Sequence, residues 1–166
     1  RLITWLPFLS DQRDEGRAQL RLAMSKGRLT RVASRNALFR IYMEEKEFDA
    51  VLTLAREIGE EYPDDVFYRW FLGFALARLQ RWEEAKVIFD EIVPLLEQRP
   101  HGPEADVICK YWRARALYEI QGHSPEALQL VREIAVLAPT IDVRLFYYEE
   151  YLKKAEELEK MLKKAQ

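Results

Sequence analysis

Slid against itself by 34 positions, this chain of 166 residues meets its own pattern. Leu38 meets Leu72, Tyr42 meets Leu76, Phe48 meets Trp82, and Val51 meets Ala85. A third copy follows after a longer step of 42, eight more than the first. Across it Ala85 answers to Ala127, Leu72 to Ala114, Leu76 to Tyr118 and Phe89 to Val131. A period of this length holds two helices and a turn, and one such pair cannot bury its apolar side alone, so the copies must stack. Composition agrees. Helix formers dominate and no stretch alternates like a two-sided strand. With 49% hydrophobic and 33% charged residues the chain reads as an ordinary all-α folding chain.

The central copy is the clearest. Leu72-Gly73 is followed by Trp82, Ala85 and Phe89. Two antiparallel helices that cross closely leave room at the crossing only for small side chains; Gly73 and Ala85 supply them, while Leu72 and Phe89 fill the space alongside. This L-G…A-x3-F pattern resembles the tetratricopeptide repeat, over roughly residues 11–139. The resemblance implies a right-handed superhelical array of antiparallel helix pairs, an α-solenoid. The other copies depart from the pattern. Phe39 and Val51 replace the small residues of the first, so its helices are expected to cross more widely. Arg115 takes the small position of the third, which keeps Ala127, Gly122 and Pro139. The phase predicts an N-terminal segment with the helix of a truncated repeat over 1–29. Repeats follow at 30–63, 64–105 (with an extended loop) and 106–139, and a C-terminal capping helix at 140–166.

Punctuation supports this division. Pro63 and Pro139 fall where second helices must stop. Ser10 is a candidate N-cap and Gly27 a candidate C-cap for a helix over 11–26, in which Gly16 and Leu20 take the places of Ala85 and Phe89. Ser124-Pro125 reads as an N-cap followed by Pro at the first helical position. Thr140 or Asp142 is expected to cap a last helix over about 141–165. Its apolar stripe is Leu145, Tyr148, Leu152, Ala155, Leu158 and Leu162, and its charged tail would close the end of the array. The extra residues of the second copy fall at QRPHGPE, a spacer loop, and Pro94 is expected to kink the helix before it. The opening LITWLPFLSDQRDEG loosely resembles the lead-in to the repeats of larger bacterial tetratricopeptide proteins, which implies a longer parent protein.

No constellation for chemistry is visible. His101 and His123 fall in turns, without metal-ligand spacing, and are read as solvent-exposed. Cys109, the single cysteine, sits among apolar neighbours as a half-buried small hydrophobe. It rules out a disulfide framework and a cysteine-rich zinc site, and fits a reducing compartment, the cytoplasm ahead of the bacterial periplasm. Glu44-Glu45, Glu60-Glu61 and Asp64-Asp65 are adjacent pairs that do not face each other on a helix. No nucleotide-binding or hydrolase motif is present, so neither catalytic residues, nor a metal, nor a cofactor are assigned. No apolar run reaches the ~18 residues that span a bilayer, and no membrane insertion is expected. Net charge is +6 over residues 1–40, −9 over 41–106 and +1 over 107–166. The basic helix face of Arg13, Arg17 and Arg21 is read as answering the acidic middle of the array rather than as a nucleic-acid surface. Such a lengthwise dipole also favours head-to-tail contacts, so a homo-oligomer stays possible.

What remains is a surface. In the tetratricopeptide family the first helix of each repeat lines the concave face. Carried over by phase, this implies an aromatic floor of Trp70, Phe74 and Trp112, flanked by Asn36, Arg40, Arg78 and Arg113. A floor of that kind suits an extended peptide or a helix of a partner protein. The family's carboxylate clamp is incomplete here, since Phe71 and Cys109 stand where an Asn and a Lys would, so chaperone-tail binding is not expected. The chain is thus read as a non-catalytic protein–protein adaptor. The alternative is a structural or oligomerisation module of a larger protein, whose groove is filled by LITWLPFL or by the last helix through Phe146, Tyr147 and Tyr151.

Overall fold

The structure is a computed structural model that describes residues 12–27, 29–97, 102–141 and 148–165. Ser10, LITWLPFL, His101, Asp142, Leu145, Phe146 and Tyr147 lie outside the described residues. Among those described, every regular element is helical: α1 (Arg13–Lys26), α2 (Arg31–Glu44), α3 (Phe48–Glu61), α4 (Val66–Arg78), α5 (Trp82–Glu97), α6 (Pro103–Gln121), α7 (Pro125–Leu137), a 3-10 turn Ala138–Thr140, and α8 (Tyr148–Lys164). No described helix is long and apolar enough to cross a membrane. The chain divides into two compact units, Arg1–Ala50 and Val51–Gln166.

In the first unit α1 packs on α2. Gly27 does follow α1, donating its N–H to the Ala23 carbonyl at 2.9 Å. Its φ of −76° is one any residue adopts. What demands glycine is close approach, because a Cβ would stand 2.2 Å from Thr30 Oγ1 and 2.4 Å from the Ala23 oxygen. Helix α2 buries Leu38, Phe39 and Tyr42. Arg17 reaches across from α1 to Glu45 and Glu47, and its guanidinium lies 5.6 Å from the centre of the Tyr42 ring. One member of the basic stripe is therefore answered by carboxylates within its own unit.

In the second unit each helix from α4 to α8 packs on the next, and α8 also lies along α6. Asp65 caps α4 by accepting from the Phe67 N–H at 2.9 Å, and Ser124 caps α7 by accepting from Ala127 at 3.2 Å with Pro125 behind it. Helix α5 continues through an exposed Pro94 to Glu97. The expected spacer is shorter than its composition indicates, because Pro103 already opens α6, where a missing N–H costs nothing. The Thr140 hydroxyl donates backwards to the Leu137 carbonyl at 2.7 Å and closes the 3-10 turn. The core is the close crossing expected at Gly73. A Cβ there would fall 2.9 Å from Phe89 Cζ and 3.1 Å from Ile88 Cγ2, and Ala85 and Phe89 are both fully buried.

The repeat is also written in the turns. Lys46 and Gln80 both have φ of +60°, and Gly122 has φ of +71°. They follow one another by the same two steps as the apolar pattern. At the first two, the third residue past the helix returns its N–H to the last turn, Glu47 to Tyr42 at 2.8 Å and Arg81 to Leu76 at 2.9 Å, while Lys46 bonds Met43 and Gln80 bonds Ala77. This pairing closes a helix through one left-handed residue. Left-handed backbone costs an L-residue roughly 1–2 kcal/mol, and glycine forfeits about 0.5–1 kcal/mol through its freer unfolded chain. Gln80→Gly is therefore expected to stabilise the protein by about 0.5–1 kcal/mol, read as a higher urea midpoint with unchanged slope.

Candidate functional site

The seven residues implied as partner-binding divide between the two units. Asn36 and Arg40 lie one turn apart on α2 in the first unit, both exposed. The other five belong to the second unit, where the aromatic members do meet. Trp70 stacks on Phe74 at 5.2 Å between ring centres, and Phe74 meets Trp112 edge-on at 5.3 Å. Equivalent positions on α4 and α6 thus build one continuous aromatic row, as the phase required.

That row does not end in solvent. Helix α8 lays Tyr151 against its far end, with the Trp112 indole N–H donating to Tyr151 Oη at 3.2 Å and Tyr111 meeting the same ring at 5.5 Å. Trp112 keeps only 6% of its surface exposed. Burial accordingly pushes the Tyr151 phenol up to about 12, and raises that of Tyr111 as well. Towards the start of α4 the row is more open: Trp70 and Phe71 are half-buried, and Phe67 is exposed and packs edge-on against Phe71 at 4.9 Å.

Arg113 is bound within the chain. Its Nε donates to Asp90 at 2.6 Å and its Nη2 to Glu126 at 2.5 Å, so it ties α5, α6 and α7 together. Lys110 does similar work, reaching Glu133 at 2.6 Å and holding that carboxyl below its ordinary range. Arg78 is exposed in the last turn of α4, and its charge reaches the Tyr151 phenol. It opens onto a cleft of about 390 Å³ with Trp82, Tyr111, Trp112, Arg115 and Lys154 in its walls. Arg115 and Lys154 carry no signal in the sequence. The first reads only as an oversized residue at a small position, and the second as one charge in a charged tail.

Groups that could do chemistry are placed for structure. Cys109 is buried more completely than its neighbours in sequence indicate, at 2% exposure, and burial pushes its thiol up to about 12, with Asp106 adding to the shift. A thiol held protonated is a poor nucleophile. His123 is half-buried rather than in open solvent, with Nδ1 shut away from water. Among the described residues no three acids, histidines or cysteines are grouped to hold a metal.

No family model matches the chain. Over 103 residues, 62% of its length, it is 29% identical to the TPR repeat-containing protein YpiA of Bacillus subtilis (strain 168), of which the match spans 22%. This chain is tetratricopeptide-like. Its match thus covers less than a quarter of that relative's length. The likeness in sequence and the helix pairs agree: the left-handed turns recur in repeat phase, and Gly73 stands at a crossing too tight for a side chain.

Proposed function

We propose that this chain is a non-catalytic protein-interaction module that holds a segment of a partner protein against the face shared by α4, α6 and α8. The observation that carries this reading is the aromatic row from Phe67 through Trp70 and Phe74 to Trp112, open at the α4 end and covered by Tyr151 at the other. Rigid aromatic rings offer area at little entropic cost, and a half-exposed row of them is what a partner segment would cover. A TPR repeat-containing relative supports an interaction role over an enzymatic one. Arg78 would add a charged contact beside the row, while Arg113 serves the array itself.

A displayed library of unbiased peptides tests this. Selection on the purified chain should yield binders that a folded Trp70→Ala variant releases. Binders indifferent to that change would move the interaction face elsewhere. A second reading rests on Tyr151: with Trp112 already covered by the chain's own helix, the row is a structural seam of a larger assembly. Sedimentation would favour it if the protein associates at micromolar concentration and Phe67→Glu makes it monomeric.

A further inference from the structure

The charged side chains in the walls of the cleft beside the aromatic row are all cations. Arg78 enters it from α4, Arg115 from α6 and Lys154 from α8, and among the described residues no carboxylate stands in its walls. The three residues come from helices far apart in sequence, each the first of a pair or in the place of one, so the stacking of the array brings them together. Trp112 and Tyr111 form an apolar floor between them, both buried. On their own helices Arg115 pairs with Glu119, and Lys154 with Glu150 at 2.5 Å. Lys154 also lies over the Tyr151 ring at 5.3 Å. Both cations are half-buried, and pairs four residues apart on a solvent-facing helix hold with only about 0.3–0.5 kcal/mol. Pairs that weak yield to a better placed carboxylate.

We propose that this cleft receives an acidic stretch of the partner segment, several Asp or Glu side chains within a few residues, with Arg78, Arg115 and Lys154 as the recognising groups. This rests on the interaction reading given above and adds the chemistry of the partner. Charge complementarity decides the occupant: an apolar helix would desolvate the charged side chains of the walls without offering them a carboxylate, and a basic segment would be repelled by them. An apolar residue adjoining the acidic stretch would continue onto the aromatic row at Phe74 and Trp70. The clefted cations differ from the incomplete clamp positions noted in the sequence, so a free chain terminus is not required.

The test uses fluorescein-labelled hexaglutamate, hexalysine and a single-stranded oligonucleotide as probes, followed by anisotropy at low and moderate salt. The expected result is saturable binding of hexaglutamate, weakening as salt rises, and no binding of hexalysine. Reversing the cleft (Arg78→Glu, Arg115→Glu, Lys154→Glu) should raise the dissociation constant at least tenfold. Reversing Arg132, Lys160 and Lys163, exposed charges outside the cleft, should change it less than threefold although net charge shifts equally. A milder set, Arg78→Gln with Lys154→Gln, guards against misfolding of the triple variant and should still weaken binding severalfold. Equal loss in both reversed variants, or an oligonucleotide that binds more tightly than hexaglutamate and is equally sensitive to the cleft, overturns the proposal. The two readings fail separately. Library peptides that depend on Trp70 but carry no acidic bias would leave the interaction module standing and remove the acidic partner. Absence of any peptide binding would remove both.

Discussion

Phe89→Ala should lower the unfolding free energy by about 3–5 kcal/mol, the loss typical of a fully buried aromatic ring, measured by urea unfolding. The ring does more than fill volume. It lies where a side chain at Gly73 would have to go, its Cζ 2.9 Å from the point a Cβ would occupy. Gly73→Ala sets two effects against each other: alanine gains about 0.8–1 kcal/mol in helix propensity, and its methyl presses on a ring with no room to retreat. The single change is therefore expected to be neutral or destabilising. In the Phe89→Ala background the tightest obstruction is gone, Ile88 Cγ2 at 3.1 Å remains, and Gly73→Ala should recover part of the propensity gain, so the two substitutions couple with a favourable sign. Gly16 and Gly59 provide the contrast, since a Cβ at either meets nothing within 4 Å. Gly59→Ala should stabilise by about 0.8–1 kcal/mol with no dependence on Phe89. A loss below about 1 kcal/mol for Phe89→Ala, well under the usual range, or independence from Gly73, would mean that the α4–α5 crossing is looser than described.

How much of this was open to reading depends on which interactions are local. The Gly73–Phe89 crossing is legible because a small residue at a fixed phase has one steric meaning. So is the Ser124-Pro125 start of α7, where the two residues do separate jobs at adjacent positions. The turns at Lys46 and Gln80 are not, because neither residue advertises a left-handed backbone; the helix geometry on either side imposes it. Gly27 shows the same limit from another side: its place after α1 is legible, but the crowding by Thr30 and Ala23 that requires it is not. The aromatic row is legible for Trp70, Phe74 and Trp112 because repeats superpose equivalent positions. The basic cleft is not, because Arg78, Arg115 and Lys154 converge only once three helices are stacked. The repeat phase puts Arg78 beside the row, but Arg115 and Lys154 look like solvated charges within their own helices. Arg113, set beside the row by the same phase, turns instead to Asp90 and Glu126.

Trp112 and Trp70, equivalent by repeat phase, should separate on mutation. Trp112→Ala is expected to cost about 3–5 kcal/mol, as for other buried large-to-small changes, and Trp70→Ala less than half of that, because Trp70 is only half-buried. The difference comes from Tyr151. Burial places its phenol near 12 in the folded chain, against an ordinary value near 10 once unfolded. Above about pH 10 the unfolded chain sheds this proton while the folded chain keeps it. Stability is therefore intact below about pH 10 and falls as pH rises towards about 12, by roughly 2–3 kcal/mol at about 1.4 kcal/mol per unit. Tyr151→Phe should reduce that alkaline slope, leaving the share that the raised Tyr111 phenol contributes. At neutral pH it should cost about 1–3 kcal/mol, since the Trp112 indole N–H loses its acceptor in a buried place. Urea midpoints of the four proteins from neutral pH to about pH 11, a unit past the ordinary phenol value, measure all of this together. If Trp112→Ala proves as mild as Trp70→Ala and the alkaline slope survives Tyr151→Phe, α8 does not seal the row. The whole length from Phe67 to Trp112 would then be open to a partner, and the basic cleft would lie at the middle of the binding face instead of at its closed end.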